Sequence, residues 1–257
     1  MKQIISWFLR HVPRKYLQLF SHWVLKVLAV FYRGKQVQCP VCDHGFRKFL
    51  PYGRLAARSN ALCPNCLALE RHRLIWLYLR EKTDFFSAEK KLLHIAPELC
   101  FIDRFEALPN IDYITGDIES PLAKVKMDIH DIPFDDNQFD VCFCNHVMEH
   151  VDDDIKAMSE IHRVLKPGGW AILQIPLFHP LPEKTHEDPS ITDPRERERI
   201  FGQDDHVRLY GKDYVDRLRQ GGFDAKEDWY VKEMPAEEAK RYALPTDEPI
   251  FFCQKKG

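Results

Sequence analysis

The sequence predicts an α/β fold, in which a doubly wound and mostly parallel sheet is covered by helices. Two observations carry this prediction: from Lys90 onward, short apolar runs alternate with stretches of helical spacing, and polar turns separate them. Strands are predicted at residues 92–96, 112–115, 140–145, 170–175, 229–232 and 250–254. Helices are predicted at residues 98–107, 152–165 and 211–220. The polar, proline-rich stretch 177–203 between them is expected to form a long loop or short helices.

The charge is divided unevenly along the 257 residues. The net charge is −2, yet residues 1–80 carry +12 and the remainder carries −14. A basic front end favours an anionic partner, either a phosphate backbone or anionic lipid headgroups. The alternative is that the basic and acidic parts simply attract each other.

The first 36 residues are predicted to form a basic, amphipathic helical segment. Residues 1–33 are rich in aromatic and basic residues and contain no acid. This composition suits a helix in a membrane interface, although a helix packed on its own domain or on a second subunit would look similar. The longest apolar run, residues 23–32, is too short to span a bilayer, which takes about 20 residues. With no secretion signal in view, we expect a cytoplasmic protein, with attachment to the inner face of the membrane as an extension of that expectation.

Two CPxC pairs predict a zinc ribbon that, with a linking helix, occupies residues 37–82. The pairs are Cys39 with Cys42 and Cys63 with Cys66. Four thiolates on two such turns can surround one zinc ion tetrahedrally and leave no open position, so the metal would be structural. A redox role is the weaker alternative. His44 and His72 are expected at the surface rather than as ligands.

A helical pattern follows the second cysteine pair. Its apolar positions, which are expected to face a core, are Leu67, Leu74, Leu77 and Tyr78. Its arginines, which are expected to face solvent, are Arg71, Arg73 and Arg80. Residues 83–89 make the best domain boundary, so a second domain is predicted over residues 88–257.

Polar residues at predicted strand ends carry the functional signal. Asp117 ends the second strand, where nucleoside-binding α/β folds place an acid that accepts hydrogen bonds from ribose hydroxyls. The sequence then runs D-x-x-x-I-P-F-x-D-N-x-F-D from Asp128, followed by HVMEHV and RVLKPGG. Gly168 and Gly169 are expected to supply the positive backbone angles that a helix stop requires.

These runs, in this order, resemble the class I S-adenosylmethionine-dependent methyltransferases. The resemblance extends from about Lys90 to the C-terminus. It implies a Rossmann-like, seven-stranded sheet whose last strand, residues 250–254, is inserted antiparallel, and it implies S-adenosyl-L-methionine as the cofactor. The positions that it assigns to cofactor binding are His94, Ala96, Glu98, Asp117, Asp128, Ile129 and Asn145. In this assignment Asp117 faces the ribose, Asp128 and Ile129 face the adenine, and Asn145 with His146 lies beside the sulfonium.

The turn after the first strand departs from the family pattern because it contains no glycine. His94 stands at the usual acid, Ala96 at the first glycine and Glu98 at a later one. The Glu98 carboxylate could compensate by pairing with the ammonium group and the sulfonium of the cofactor. The alternative is an acid at a helix N-terminus, favoured only by the helix dipole.

The remaining polar residues suggest catalytic and substrate-binding roles. His146 and His150 flank Glu149, and either histidine could act as a general base. Methyl transfer, however, is an in-line displacement that depends mainly on alignment of the reactants. The residues predicted to contact substrate are His206, Arg208 and Tyr210. In the alternative interpretation, Asp205 and Arg208 only fix the loop.

The sequence thus predicts a methyltransferase with a structural zinc ion. Its acceptor is expected to be a membrane-associated, lipid-linked or saccharide-type small molecule, because aromatic residues dominate the first 33 positions. One alternative is an RNA methyltransferase whose phosphate contacts come from the basic residues Arg47, Lys48, Arg54 and Arg58. Another is a zinc-binding scaffold that has kept the fold and lost the chemistry.

Overall fold

The computed structural model describes residues 29–53 and 57–257. The described part of the chain forms two compact units. The first contains the described residues up to 81 together with residues 234–246, and the second contains residues 82–233 and 247–257. The sequence analysis placed residues 234–246 in the second domain. The predicted amphipathic segment lies outside the described residues up to position 28, and residues 29–32 are helical.

The first unit is built from two short hairpins and a helix. Strands β1 (Arg33–Cys39) and β2 (His44–Phe46) pair antiparallel, as do β3 (Leu50–Tyr52) and β4 (Arg58–Leu62). Helix α1 (Glu70–Lys82) follows the second cysteine pair. A short helix from Ala236 to Arg241 completes the unit. The hairpins hold the cysteine turns in place.

Two side chains of α1 are buried where the sequence analysis expected exposure. Arg73 is 0% exposed. It donates to four backbone carbonyls, at 2.7–3.0 Å, and stacks on the Phe49 ring at 4.3 Å; the carbonyls belong to Ala61, Ala68, Tyr242 and Ala243. His72 is also buried and accepts the Leu69 N–H through Nδ1. The expectation that Arg73 and His72 lie at the surface was therefore wrong, because their backbone partners lie outside the helix.

The second unit contains a seven-stranded sheet in the order β12-β13-β9-β8-β5-β6-β7. Its strands are β5 (Lys90–Ile95), β6 (Ile111–Asp117), β7 (Val125–Lys126), β8 (Phe139–Cys144), β9 (Leu165–Ile172), β12 (Asp224–Asp228) and β13 (Ile250–Gln254). Neighbouring strands are parallel except β13, which is antiparallel to both β12 and β9. The predicted sheet, with its last strand antiparallel, is confirmed. A separate pair, β10 (His186–Glu187) and β11 (Arg208–Leu209), lies in the connecting segments.

Helices flank this sheet. They are α2 (Leu99–Glu106), α3 (Asp154–Val164), α4 (Pro194–Phe201), α5 (Tyr214–Gln220) and α6 (Tyr230–Glu233). Helix α3 illustrates why these residues form helices. The Asp153 side chain caps its start by accepting the Lys156 N–H, and Ala157, Ile161 and Val164 form its buried face. Within the described residues, no helix combines the length and the apolar character that a bilayer crossing requires.

One predicted strand was wrong. Residues 229–232 fall largely in helix α6. The strand of the sheet that was expected there is β12, which lies just before this helix. Strand β12 lies at the edge of the sheet, and of its five residues only Ala225 is buried. An edge strand exposes most of its surface, so its sequence, DAKED, lacks the apolar run that marks the central strands.

Candidate functional site

The site lies at the point where the strand order of the sheet reverses. Strand β5 pairs with β6 on one side and with β8 on the other. In open α/β sheets, ligands bind in the crevice outside the carboxyl ends of the strands at this switch point. The segment after β5 carries Glu98, and the segment after β8 carries Asn145. The topology therefore brings together two of the predicted cofactor residues.

The turn after β5 has the backbone conformation of a glycine turn without a glycine. Ala96 has φ of 50°, in the left-handed region that glycine adopts most easily. Its N–H donates to the carbonyl of Gly116 at 2.9 Å, which ties the turn to the end of β6. His146, after β8, is also left-handed, with φ of 55°. Strained backbone at two adjacent strand ends is typical of a functional site.

The Glu98 carboxylate lies among polar side chains rather than in solvent. Its Oε2 atom is 2.8 Å from His94 Nε2 and accepts a hydrogen bond from Asn145 Nδ2 at 3.2 Å. The side chain is 15% exposed and makes no cap hydrogen bond to helix α2. An acid that served only the helix dipole would point to the helix N–H groups or to water. Here the carboxylate faces the strand ends.

A tyrosine behind His94 fixes this arrangement. The Tyr113 hydroxyl lies 2.8 Å from His94 Nδ1, and burial, with the nearby Glu98 charge, raises the pKa of Tyr113 above its usual value. The hydroxyl therefore keeps its proton and can donate a hydrogen bond to Nδ1. In the tautomer that carries its proton on Nε2, His94 accepts from Tyr113 at Nδ1 and donates from Nε2 to Glu98. Asn145 Oδ1, in contrast, is a buried acceptor that has no hydrogen-bond donor among the described residues.

The predicted nucleoside contacts lie along the next two strand ends. Asp117 Oδ1 accepts the N–H groups of Glu119 and Ser120 at 2.7 and 2.6 Å, so the turn orients the carboxylate and leaves Oδ2 available. This turn borders an open cavity of about 290 Å³. Asp128 is exposed, and hydrogen bonds from the backbone and ring of His130 lower the pKa of its carboxyl. Ile129, beside it, is buried.

The four cysteines of the first unit form one cluster. The sulfur atoms of Cys39 and Cys66 are 3.6 Å apart, and those of Cys42 and Cys63 are 3.8 Å apart. The cysteines are free thiols, because a disulfide would place sulfur atoms at about 2.05 Å. Four sulfur atoms at about 2.3 Å from a zinc ion lie about 3.8 Å apart at the edges of a tetrahedron. The donor set and these two sulfur spacings are compatible with the predicted zinc ion.

A second polar cluster lies after β8. Glu149 is 1% exposed; its Oε1 atom lies 3.4 Å from His146 Nδ1 and 4.0 Å from His150 Nε2. His206 is 0% exposed, and its Nδ1 atom lies 3.0 Å from the Phe201 carbonyl. Burial alone would raise the pKa of Glu149, but a hydrogen bond from His146 and the charges of His146 and His150 lower it. Burial lowers the pKa of His206.

Sequence reasoning missed Glu149, although its position between two histidines in HVMEHV was a signal. It named both neighbours as catalytic candidates and gave the acid no role. An acid inside a largely apolar turn is costly to bury unless it has partners. Its burial could therefore have been inferred from Val147, Met148 and Val151 around it.

Two residues predicted to contact substrate hold the structure together. Arg208 is buried and donates to the carbonyls of Met148, Val151 and Asp152 and to Glu187. Tyr210 is buried and donates from its hydroxyl toward the Met148 carbonyl and Asp154. Both side chains position the turn that carries Glu149, as in the alternative interpretation of Arg208, and their contact with substrate stays a prediction. His206 belongs to the cluster itself.

Comparisons with known proteins agree with this description. Residues 102–173 match a family model described as a methyltransferase domain. Among curated proteins, the chain is 42% identical to a 2-phytyl-1,4-naphtoquinone methyltransferase of Nostoc punctiforme over 20% of this chain and 23% of that protein. It is 34% identical to a demethylmenaquinone methyltransferase of Chlorobaculum tepidum over 33% and 30%. It is 37% identical to a tRNA U34 carboxymethyltransferase of Nautilia profundicola over 33% and 26%. The chain thus spans about a quarter of the length of these relatives.

Solved structures of S-adenosylmethionine-dependent methyltransferases are also similar. One from Archaeoglobus fulgidus is 16% identical, with a TM-score of 0.45 over 71% of this chain and 93% of that one. One from Mesorhizobium loti is 13% identical, with a TM-score of 0.45 over 70% and 95%. The match of residues 102–173 to a methyltransferase domain, together with the strand order and the motifs, supports a class I S-adenosylmethionine-dependent methyltransferase domain in this chain.

Proposed function

We propose that this protein binds S-adenosyl-L-methionine at the carboxyl edge of its sheet and transfers the methyl group to a small acceptor. The observation that carries this proposal is the position of Glu98. Its carboxylate lies at the switch point, held by His94 and Asn145, where the family usually has glycine. A fixed negative charge there suits the positively charged ammonium and sulfonium groups of the cofactor.

The other residues at this edge fit the rest of the cofactor. Asp117 presents one free carboxylate oxygen that can accept hydrogen bonds from ribose hydroxyls. Asp128 and Ile129 hold the positions that the family resemblance assigns to the adenine amino group and ring. The buried Asn145 Oδ1 atom makes no hydrogen bond among the described residues, so it can accept one from the ammonium group of the cofactor. The cofactor, when bound, supplies the electrophilic methyl group. The residues of the chain bind it and align it with the acceptor.

Calorimetry with S-adenosylhomocysteine tests the proposal. The full-length, zinc-loaded protein should bind it, and Glu98→Gln should weaken binding about 10-fold or more, because a charge-assisted contact is lost. Glu106→Gln is the matched control: Glu106 lies on helix α2, is exposed and forms an ion pair with Lys124. A folded protein that binds no S-adenosylhomocysteine would contradict the enzyme proposal and favour the scaffold alternative.

For the acceptor, we propose a membrane-associated or lipid-linked small molecule, with a saccharide as another member of the class. Two observations favour it: the aromatic and basic composition of residues 1–33, and the quinone substrates in the names of several relatives. The protein would then sit on an anionic membrane surface from the cytoplasmic side.

RNA is the second candidate acceptor. The charge of +12 over residues 1–80 and the tRNA named for one relative favour it. Co-sedimentation with anionic liposomes, run beside binding to structured RNA, separates the two. Deletion of residues 1–33 should abolish liposome binding if the membrane proposal is right. Retained liposome binding, or RNA binding that falls steeply with salt, would favour the alternative.

We also propose that Cys39, Cys42, Cys63 and Cys66 hold one structural zinc ion. The sulfur spacing supports this, because it matches the edges of a zinc–thiolate tetrahedron. Elemental analysis should find one zinc per chain at these cysteines, and Cys63→Ser should lose it. Cys100→Ser is the matched control, since Cys100 is a buried thiol outside the cluster. Zinc retained at full occupancy by Cys63→Ser would contradict the proposal.

A further inference from the structure

A second candidate metal site lies in the methyltransferase unit itself. Glu149, His150 and His206 each offer one ligand atom, and these three atoms lie within 4.8 Å of one another. Two ligand atoms at about 2.1 Å from a shared tetrahedral metal lie about 3.4 Å apart. Small side-chain rotations would therefore bring the three atoms to a common ion.

The hydrogen bonds around the cluster aim lone pairs into it. His206 Nδ1 faces the Phe201 carbonyl, which can only accept, so Nδ1 carries the proton and Nε2 presents its lone pair. His150 Nδ1 faces the backbone and side-chain oxygens of Asp205, at 3.3 and 3.5 Å, which leaves its Nε2 atom toward Glu149. A histidine that donates one ring N–H to an oxygen and offers the other nitrogen is the usual form of a metal ligand.

Two of the three ligand residues carry a buried atom without a hydrogen bond among the described residues: Glu149 Oε2 and His206 Nε2. The adjoining His146, whose Nδ1 atom lies 3.4 Å from Glu149 Oε1, also has a buried Nε2 atom without one, so there are three such atoms in and beside the cluster. Buried polar atoms in native proteins are nearly always satisfied, so the unsatisfied atoms of Glu149 and His206 call for an occupant. All three are acceptors when the imidazoles are neutral, and a cation satisfies acceptors.

Several backbone contacts build this site. The Val207 N–H donates to the Glu149 carbonyl at 2.9 Å, which joins the segment of His206 to the turn of Glu149. Arg208 holds the same turn through the carbonyls of Met148 and Val151. Val207 and Arg208, the two residues that follow His206, are thus fixed against the turn that carries Glu149.

From these contacts, we infer that Glu149, His150 and His206 bind a divalent transition-metal ion, with His146 at the rim. Two imidazoles and one carboxylate are a ligand set for zinc or iron(II), and three protein ligands leave an open coordination position. His150 is 34% exposed at its side chain, so the site opens to solvent. The same chain segment supplies Asn145 to the Glu98 cluster. One consequence rests on the proposed function: the metal would act as a Lewis acid toward an oxygen of the methyl acceptor.

Cobalt(II) titration of the full-length, zinc-loaded protein tests the inference. We expect one additional Co²⁺ per chain, with visible d–d absorption and without the near-ultraviolet charge transfer that thiolate ligands produce. Co²⁺ that entered the cysteine cluster by displacing zinc would show that charge transfer. Glu149→Gln, which keeps the shape and removes the anionic ligand, should lower the Co²⁺ affinity about 100-fold. His179→Ala, an exposed histidine outside the cluster, should leave it unchanged.

Two outcomes would overturn the inference: no Co²⁺ uptake beyond the cysteine cluster, or an affinity in Glu149→Gln equal to that of the unmodified protein. If Glu149→Gln fails to fold, His150→Gln gives the same test, because His150 is partly exposed and its replacement leaves no buried charge. S-adenosylhomocysteine binding is measured separately on the same samples. Metal binding without cofactor binding would refute only the proposed function, and cofactor binding without metal binding would refute only this site.

Discussion

The Nε2 atom of His94 lies 2.8 Å from the Oε2 atom of Glu98, four residues further along the chain. Strand β5 carries the histidine and the turn that follows it carries the acid, so the contact spans the place of the usual glycine loop. Tyr113, from the neighbouring strand, holds the other ring nitrogen. The carboxylate is therefore oriented by a chain of two side chains that reach it from inside the sheet.

The contacts from Tyr113 through His94 to Glu98 predict that Tyr113→Phe weakens cofactor binding. The substitution removes one buried hydrogen bond and leaves His94 Nδ1 without a donor, at a cost of about 1 kcal/mol. We expect S-adenosylhomocysteine affinity to fall about fivefold, measured by calorimetry, because His94 no longer fixes Glu98. Tyr52→Phe, at an exposed tyrosine, should have no effect. Unchanged affinity in Tyr113→Phe, beside weak binding in Glu98→Gln, would show that Glu98 acts without this support.

Because Ala96 has a left-handed backbone and Ala107 a right-handed one, replacing each with glycine should change the free energy of unfolding differently. Glycine relieves about 1–2 kcal/mol of strain in the left-handed region and costs about 0.5–1 kcal/mol in chain entropy. Ala96→Gly should thus leave the free energy of unfolding unchanged or raise it by up to about 1.5 kcal/mol. Ala107→Gly, at an exposed right-handed residue after helix α2, should lower it by about 0.5–1 kcal/mol. Denaturant unfolding measures both, and a loss in Ala96→Gly as large as that in Ala107→Gly would contradict the strain argument.

The sequence was sufficient to predict the centre of the sheet and the sheet edge at which we propose that the cofactor binds. Apolar runs marked β5, β8 and β9 because both faces of a central parallel strand are buried. Polar residues directly after such runs marked Glu98 and Asn145, since the carboxyl ends of parallel strands meet at one edge. Local spacing contained both signals.

The remaining features depend on contacts between distant parts of the chain. The helical pattern predicts that Arg73 lies at the surface, yet two of the carbonyls to which it donates are about 170 residues away in the sequence. Arg208 was predicted to contact substrate, yet the backbone carbonyls to which it donates lie more than 50 residues before it. No local pattern contains such pairings, so they had to be seen in the structure.

Arg73 leads to a stability prediction. Lysine carries the same charge but has one ammonium group, which cannot reach the four carbonyls that the guanidinium satisfies. Arg73→Lys should therefore lower the free energy of unfolding by about 3 kcal/mol, because several buried acceptors lose their donors. Arg80→Lys, on the same helix and exposed, should change it by less than about 0.5 kcal/mol. Equal stabilities of the two variants in denaturant unfolding would contradict the role assigned to Arg73.

Glu160 predicts a pH dependence of stability. Hydrogen bonds from Arg163, with a further one from the Ile132 N–H, lower the pKa of its carboxyl to about 2. A folded-state pKa below the unfolded value of about 4.3 stabilises the protein above that pH, and the contribution disappears as the pH falls toward 2. Glu160→Gln should therefore be less stable at pH 7 by about 1–3 kcal/mol.

The difference in the free energy of unfolding between the unmodified protein and Glu160→Gln should shrink steadily as the pH is lowered from about 4.5 toward 2. Protonation removes the charge of Glu160, whereas glutamine does not titrate. Denaturant unfolding at a series of pH values measures this difference. Glu183→Gln, at an acid paired with Lys212 in solvent, serves as the control and should show almost no gap at any pH. A gap for Glu160→Gln that stays constant from pH 7 to pH 3 would mean that Glu160 stabilises the fold by packing rather than by its charge.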